Sequence, residues 1–131
     1  MAGFPGLSHV AVTVSDLRRS REFYGRLFGS DPVLDEDAGS FYHVVYALES
    51  GEHFGLHTHP TPNDQPGFSE YRSGLDHVSF GVASRAELEG WVGRLDALGI
   101  DHGEIIDAPY GSGLSFRDPD NIALELFAPP S

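Results

Sequence analysis

The sequence has 131 residues, 40% hydrophobic content and a formal net charge of −12 at pH 7, which suits one ordinary core and opposes binding to a nucleic-acid backbone or an anionic leaflet. It has no cysteine, so disulfides and thiolate sites are excluded and any metal has to be held by imidazole and carboxylate. MAGFPGL carries neither a basic nor a long apolar segment and no apolar run is long enough to span a bilayer, so a cytoplasmic protein is expected.

In chain order the first element is LSHVAVTV, residues 7 to 14, an apolar strand with a histidine, His9, in its third place. A helix follows, opened by Ser15 or Asp16, striped by Phe23, Tyr24, Leu27 and Phe28, and closed by Gly29. The run Arg18-Arg19-Ser20-Arg21 reads as its solvated face. A short edge strand is expected near Pro32 to Asp35, then antiparallel strands SFYHVVYAL (40 to 48) and HFGLHTH (53 to 59), separated by Glu49-Ser50-Gly51-Glu52. The polar, proline-rich segment 60–74 reads as a linker.

The chain then repeats itself. Sixty-eight residues after Leu7, His9, Val10 and Val14 stand Leu75, His77, Val78 and Val82, and Gly25-Arg26-Leu27 returns as Gly93-Arg94-Leu95. The second helix has a capping box, Ser84 with Glu87, an apolar stripe through Leu88, Trp91, Val92, Leu95 and Leu98, and Gly99 at its stop. A short strand near Glu104 to Asp107 precedes GLSFR (113 to 117) and IALELF (122 to 127), which the turn Asp118-Pro119-Asp120-Asn121 joins. The fold class is therefore α+β, two βαβββ modules in one domain over 1–131: module one about 5–59, module two about 75–128.

Strand alternation assigns the faces. Val10, Val12 and Val14 oppose His9, Ala11 and Thr13; Val78, Phe80 and Val82 oppose His77, Ser79 and Gly81; Ile122, Leu124 and Leu126 oppose Ala123, Glu125 and Phe127. The bulky faces suit packing under the helices. The histidine faces carry small side chains, and a carboxylate between Leu124 and Leu126 needs a partner if buried. Two imidazoles and one carboxylate so placed suit a divalent ion with open positions, whereas a lone strand histidine is more often an ordinary core or edge residue.

With LSHVAVTVSDLRRSREFYGRLFG, LDHVSFGV and FRDPDNIALELFAP, the chain resembles the vicinal oxygen chelate superfamily, which includes glyoxalase I, bleomycin-binding proteins, fosfomycin-resistance enzymes and extradiol dioxygenases. The resemblance implies a cup-shaped mixed sheet with helices on its outer face, a homodimer and a small-molecule substrate. It also implies a divalent metal, Fe(II) or Mn(II) before Zn, Ni or Co, on His9, His77 and Glu125. Aligning FGLHTHP with LELFAPP sets Gly55 opposite Glu125, where glyoxalase I and the epimerases of the family typically have a second glutamate. Their proton abstraction loses its usual base here, unless His57, two residues along on the same face, replaces it. The pattern is most like an extradiol-type dioxygenase, with His57 and Tyr110, in the loop DAPYGSG, as candidates for proton transfer. Fosfomycin modification fits less well, because it calls for cationic residues around the substrate and this chain has eight Lys plus Arg in all. The different class to weigh is a metal-free bleomycin-type binding protein, which the acidic charge would suit for a cationic ligand. Among the other polar residues, Arg117 is expected to pair with Asp118 or Asp120, His53 and His59 to sit at a rim, and His102 at the surface. The face of His43 is left open.

Overall fold

The computed structural model describes residues 3–60 and 67–131, so part of the expected linker, residues 61–66, lies outside the described residues. The chain divides into two units, Met1–Gln65 and Pro66–Ser131. Each is a βαβββ module with one four-stranded mixed sheet.

Module one runs β1 (His9–Thr13), α1 (Leu17–Phe28), β2 (Leu34–Asp37), β3 (Tyr42–Ala47) and β4 (His53–Thr58). Its strand order is β1-β4-β3-β2, with β1 parallel to β4 and the other pairs antiparallel. The Asp16 side chain caps α1 by accepting the Arg19 N–H at 3.1 Å, and Gly29 ends it in the left-handed region at φ 67. Tyr24 and Leu27 bury against the sheet face that carries Val12, Val44, Tyr46, Phe54 and Leu56. Ring contacts consolidate that layer, with Tyr24 5.0 Å from Phe54 and Phe28 5.2 Å from Tyr46. The edge strand starts two residues later than its sequence suggested. Proline at 32 has no N–H for a ladder, the Val33 N–H bonds the Val45 carbonyl at 2.7 Å, and regular pairing begins at Leu34.

Ser20 corrects the reading of the basic run as a solvated face: it is fully buried. Its hydroxyl has no hydrogen-bond partner among the described residues. A buried unpaired hydroxyl costs about 1 kcal/mol or more and alanine is the better helix former. Ser20→Ala is accordingly expected to raise unfolding stability by about 1 kcal/mol, checked by urea denaturation with an unchanged m value.

Module two runs β5 (Val78–Gly81), α2 (Arg85–Ala97), β6 (Ile106–Ala108), β7 (Gly111–Arg117) and β8 (Ala123–Ala128), in the order β5-β8-β7-β6. Ser84 accepts the Glu87 N–H at 3.2 Å, while the Glu87 carboxylate takes the N–H of Ala83 at 3.0 Å, so the capping box closes one residue early. Gly99, at φ 72, ends the helix; its N–H bonds the Asp96 carbonyl and that of Ile100 the Leu95 carbonyl, both Schellman bonds. Leu88 and Leu95 bury against Leu114, Phe116, Leu124 and Leu126. In the turn before β8, the buried Asp118 side chain accepts the N–H groups of Asp120 and Ile122 at 2.8 Å each.

Three local expectations change here. His102 is no free surface residue: its Nε2 meets Asp96 at 2.7 Å and its Nδ1 the Gly103 carbonyl at 2.6 Å, beside a bridge to Phe116. Arg117 pairs with Glu70 and donates to the Asn121 carbonyl at 3.1 Å, because the turn already uses Asp118 for its own N–H groups. His77 stands one residue ahead of β5 rather than inside it.

Arg85 ties α2 to β6 with a two-pronged grip on Asp107, at 2.8 and 2.9 Å, and Ser112 adds a 2.6 Å bond. The Arg85 bonds and then that from Ser112 hold the Asp107 carboxyl at about 2, below the ordinary 3.8. A carboxyl lowered on folding adds stability that is complete above its ordinary range and is lost as pH falls towards 2. Asp107→Asn is therefore expected to lower Tm modestly at pH 6 and to converge on the parent as pH drops below 3.8, read by melting curves across pH.

Candidate functional site

In each module the helix covers one sheet face and the candidate residues line the other. On module two Glu125 lies directly across from Ser79 and from Ser115 in the ladder. The Ser79 hydroxyl donates to Glu125 Oε1 at 2.8 Å, which supplies the partner that a carboxylate in an apolar strand requires. The other oxygen lies over Gly113, where a Cβ would stand only 2.7 Å from Oε2. His77 faces the same carboxylate, with Nε2 3.7 Å from Oε1, while its Nδ1 meets Asp76 Oδ1 at 2.7 Å. Asp76 takes up Nδ1, which leaves Nε2 as the ring nitrogen turned towards Glu125.

Nε2 and Oε1, both atoms of metal-ligating groups, stand 3.7 Å apart, beyond hydrogen-bond range. Bonds of about 2.1 Å from one divalent ion reach both atoms, since two such bonds span up to about 4 Å. The donor set therefore fits a divalent ion. Among the described residues no group of three or more His, Cys, Asp or Glu side chains is gathered as a ready metal cage.

Tyr110 is well exposed and lies with its ring parallel to Phe127, centroids 6.3 Å apart, on the strand that carries Glu125.

On module one the open face is rich in imidazole. His9 opens β1 beside His53, its Nδ1 2.9 Å from Ser8 Oγ. The ladder then aligns Thr13, His57, His43 and Glu36 in one row across all four strands. The row settles the face of His43, which is on the His57 side, with Nε2 3.1 Å from Glu36. His57 stacks on Phe41 at 4.8 Å, and the His43 ring stands edge-on to it at 5.4 Å. Burial first, then the neighbouring His43, His59 and His9, push His57 below the ordinary imidazole value, so it is neutral and able to accept a proton at neutral pH. His53 and His59 are exposed near the strand ends, as the rim reading expects.

The two ladders superimpose by register. Ala11 pairs with Gly55 as Ser79 pairs with Glu125, so Gly55 does hold the place of the glutamate in module one. His57 leans over it: a Cβ at Gly55 would meet Cδ2 and Nε2 of that ring at 3.6 Å each. Asp76, Ser79, Gly113 and the His43–Phe41 pair escaped the sequence reading. The signal for the first lay in the repeat, where a hydrogen-bonding residue, Ser8 or Asp76, precedes each histidine.

Two βαβββ modules, each with a helix behind its sheet and polar side chains on the open face, are the fold of the vicinal oxygen chelate class of proteins. The chain belongs to the Glyoxalase/Bleomycin resistance protein/Dioxygenase superfamily, whose profile matches residues 6–126. It is 33% identical over 126 residues to the proposed ring-cleaving dioxygenase MhqA of Bacillus subtilis (strain 168), covering 94% of this chain but only 39% of that protein. Among solved structures it is similar to a glyoxylase/bleomycin resistance protein/dioxygenase domain from Frankia sp. EAN1pec, at TM-score 0.87 and 32% identity over 98% of this chain and 95% of the other. It shares its fold with a glutamate-to-glutamine mutant of the fosfomycin resistance protein FosX from Listeria monocytogenes, complexed with Mn(II) and a dihydroxypropylphosphonic acid, at TM-score 0.71 and 22% identity over 98% and 93% of the two chains. No helix among the described residues is long and apolar enough to cross a membrane.

Proposed function

We propose that this chain is a divalent-metal-dependent enzyme acting on a small oxygen-chelating substrate, most like a ring-cleaving dioxygenase, with His9, His77 and Glu125 as the metal ligands. The observation that carries this reading is His77, whose Nδ1 is occupied by Asp76 while Nε2 faces Glu125 across 3.7 Å. His9 repeats the arrangement with Ser8 on its Nδ1. The 33% identity to a proposed ring-cleaving dioxygenase supports the reaction class.

When bound, the ion supplies a template for two adjacent substrate oxygens and a conduit for electrons. Fe(II) or Mn(II) is preferred, and Zn, Ni or Co also suits this donor set. The chain supplies the rest. Asp76 fixes the tautomer of His77, and Ser79 holds Glu125 in place. His57, neutral through its burial, accepts the proton that a substrate hydroxyl gives up. Tyr110 donates one from the side of Phe127. The proposed protein works as a homodimer, for which sedimentation at micromolar concentration is the check; a monomer removes that part alone.

The direct test is elemental analysis of untagged protein prepared without chelator, followed by oxygen uptake with catechols and hydroquinones after anaerobic loading with Fe(II). Near-stoichiometric divalent metal and substrate-dependent oxygen uptake are expected. No metal even after reconstitution defeats the reading and turns it to a metal-free small-molecule binder.

A further inference from the structure

Glu125 sits in a seat made by two residues that hold no ligand atom. Ser79, on β5, donates its hydroxyl to Oε1 at 2.8 Å. Gly113, on β7, leaves the volume that Oε2 fills, since a Cβ there would stand 2.7 Å from Oε2 and 3.3 Å from the carboxyl carbon. One contact fixes an oxygen by direction and the other fixes its partner by space. Together they leave the carboxylate one principal orientation, with Oε1 towards His77 Nε2.

The other module supplies an internal comparison. By register, module one has Ala11 where module two has Ser79, Gly55 where it has Glu125, and His43 where it has Gly113. Both components of the seat are missing where the carboxylate is missing. A serine and a glycine chosen only for strand packing have no reason to vary with the glutamate in that way.

We infer that Ser79 and Gly113 are positioning residues for Glu125, holding its carboxylate preset to take a divalent ion together with His77. The inference rests on the reading of Glu125 as a metal ligand given above. Gly113 lies outside the positive-φ region and the three atoms nearest an added Cβ all belong to the Glu125 side chain, so alanine at this position is expected to move the carboxylate before the backbone. Ser79 is exposed, so truncating its hydroxyl opens no cavity.

The experiment is titration of the metal-free full chain with Co(II), followed by its visible absorption and by calorimetry, with a melting curve of each metal-free variant as the fold control. Glu125→Gln is measured first; if it binds Co(II) as the parent does, the ligand reading itself fails. Given loss in Glu125→Gln, Ser79→Ala and Gly113→Ala are each expected to weaken Co(II) binding about 10- to 100-fold. Both should change the absorption envelope and keep the parental Tm. Ser79→Thr, which retains the hydroxyl, is expected to restore binding to within about threefold of the parent. Parental affinity in both Ser79→Ala and Gly113→Ala, or no rescue by threonine, overturns the inference and leaves the ligand reading standing.

Discussion

Gly111→Ala is expected to destabilise module two by about 3 kcal/mol or more, a fall in Tm of roughly 10 °C or more for a unit of this size. Gly111 holds φ at 144, which side chains other than glycine rarely adopt. An added Cβ would stand 2.3 Å from Phe127 Cζ and 2.5 Å from the Ala128 carbonyl oxygen. The second contact is with backbone at the end of the β7–β8 ladder, beside the terminal Ser112–Ala128 pair, so relief requires the strands to part there. Gly113→Ala, two residues along the same strand, has side-chain atoms of Glu125 rather than backbone as its three nearest contacts and should melt with the parent. Thermal melts of the two variants side by side check the contrast. Equal, small losses at both positions would mean that β8 yields at its end more easily than its pairing implies.

His57→Gln is expected to lower kcat by about 10²- to 10⁴-fold on whichever ring substrate the parent turns over, with metal content unchanged. Glutamine retains hydrogen bonding but takes up no proton. The imidazole is held below its ordinary value by burial and by three neighbouring histidines, so it stays neutral, and competent as a base, to a more acidic pH than a free histidine. The acid limb of the parental pH–rate profile should therefore lie below 6.5 and vanish in the variant. Loss of metal along with activity would give a different answer. His57 would then be a ligand standing in for the carboxylate that Gly55 cannot offer, consistent with its lean over that residue.

Much of the architecture was legible because it rests on local chemistry repeated twice. Asp16, Ser84, Gly29 and Gly99 mark helix ends through bonds to residues within five positions. Strand alternation put His9, His57 and Glu125 on the faces away from the helices because side-chain period and backbone pleat are the same fact. What escaped was set by partners distant in sequence. Ser79 and Glu125 are 46 positions apart, and Arg117 and Glu70 are 47 apart, so no local pattern announces either pair. The same holds for His43, whose orientation follows from a ladder that a single strand does not specify. Ser20 was misread because a polar residue between arginines is usually solvated, whereas the turn of the helix aims this one at the sheet.

The strand order has a consequence for how the protein is made. In each sheet the strand that comes last in the module is inserted between the first and the third, β4 between β1 and β3, and β8 between β5 and β7. A nascent chain that has emerged only as far as Arg117 has no way to join β5 to β7, and presents two unpaired edges with nothing between them. Module one can close as soon as Thr58 is free of the ribosome, whereas module two has to wait for Ala128. Translation stalled between those points would leave one half sealed and the other adhesive, so stop codons introduced just before β8 should send the protein to aggregates rather than to a shortened soluble form.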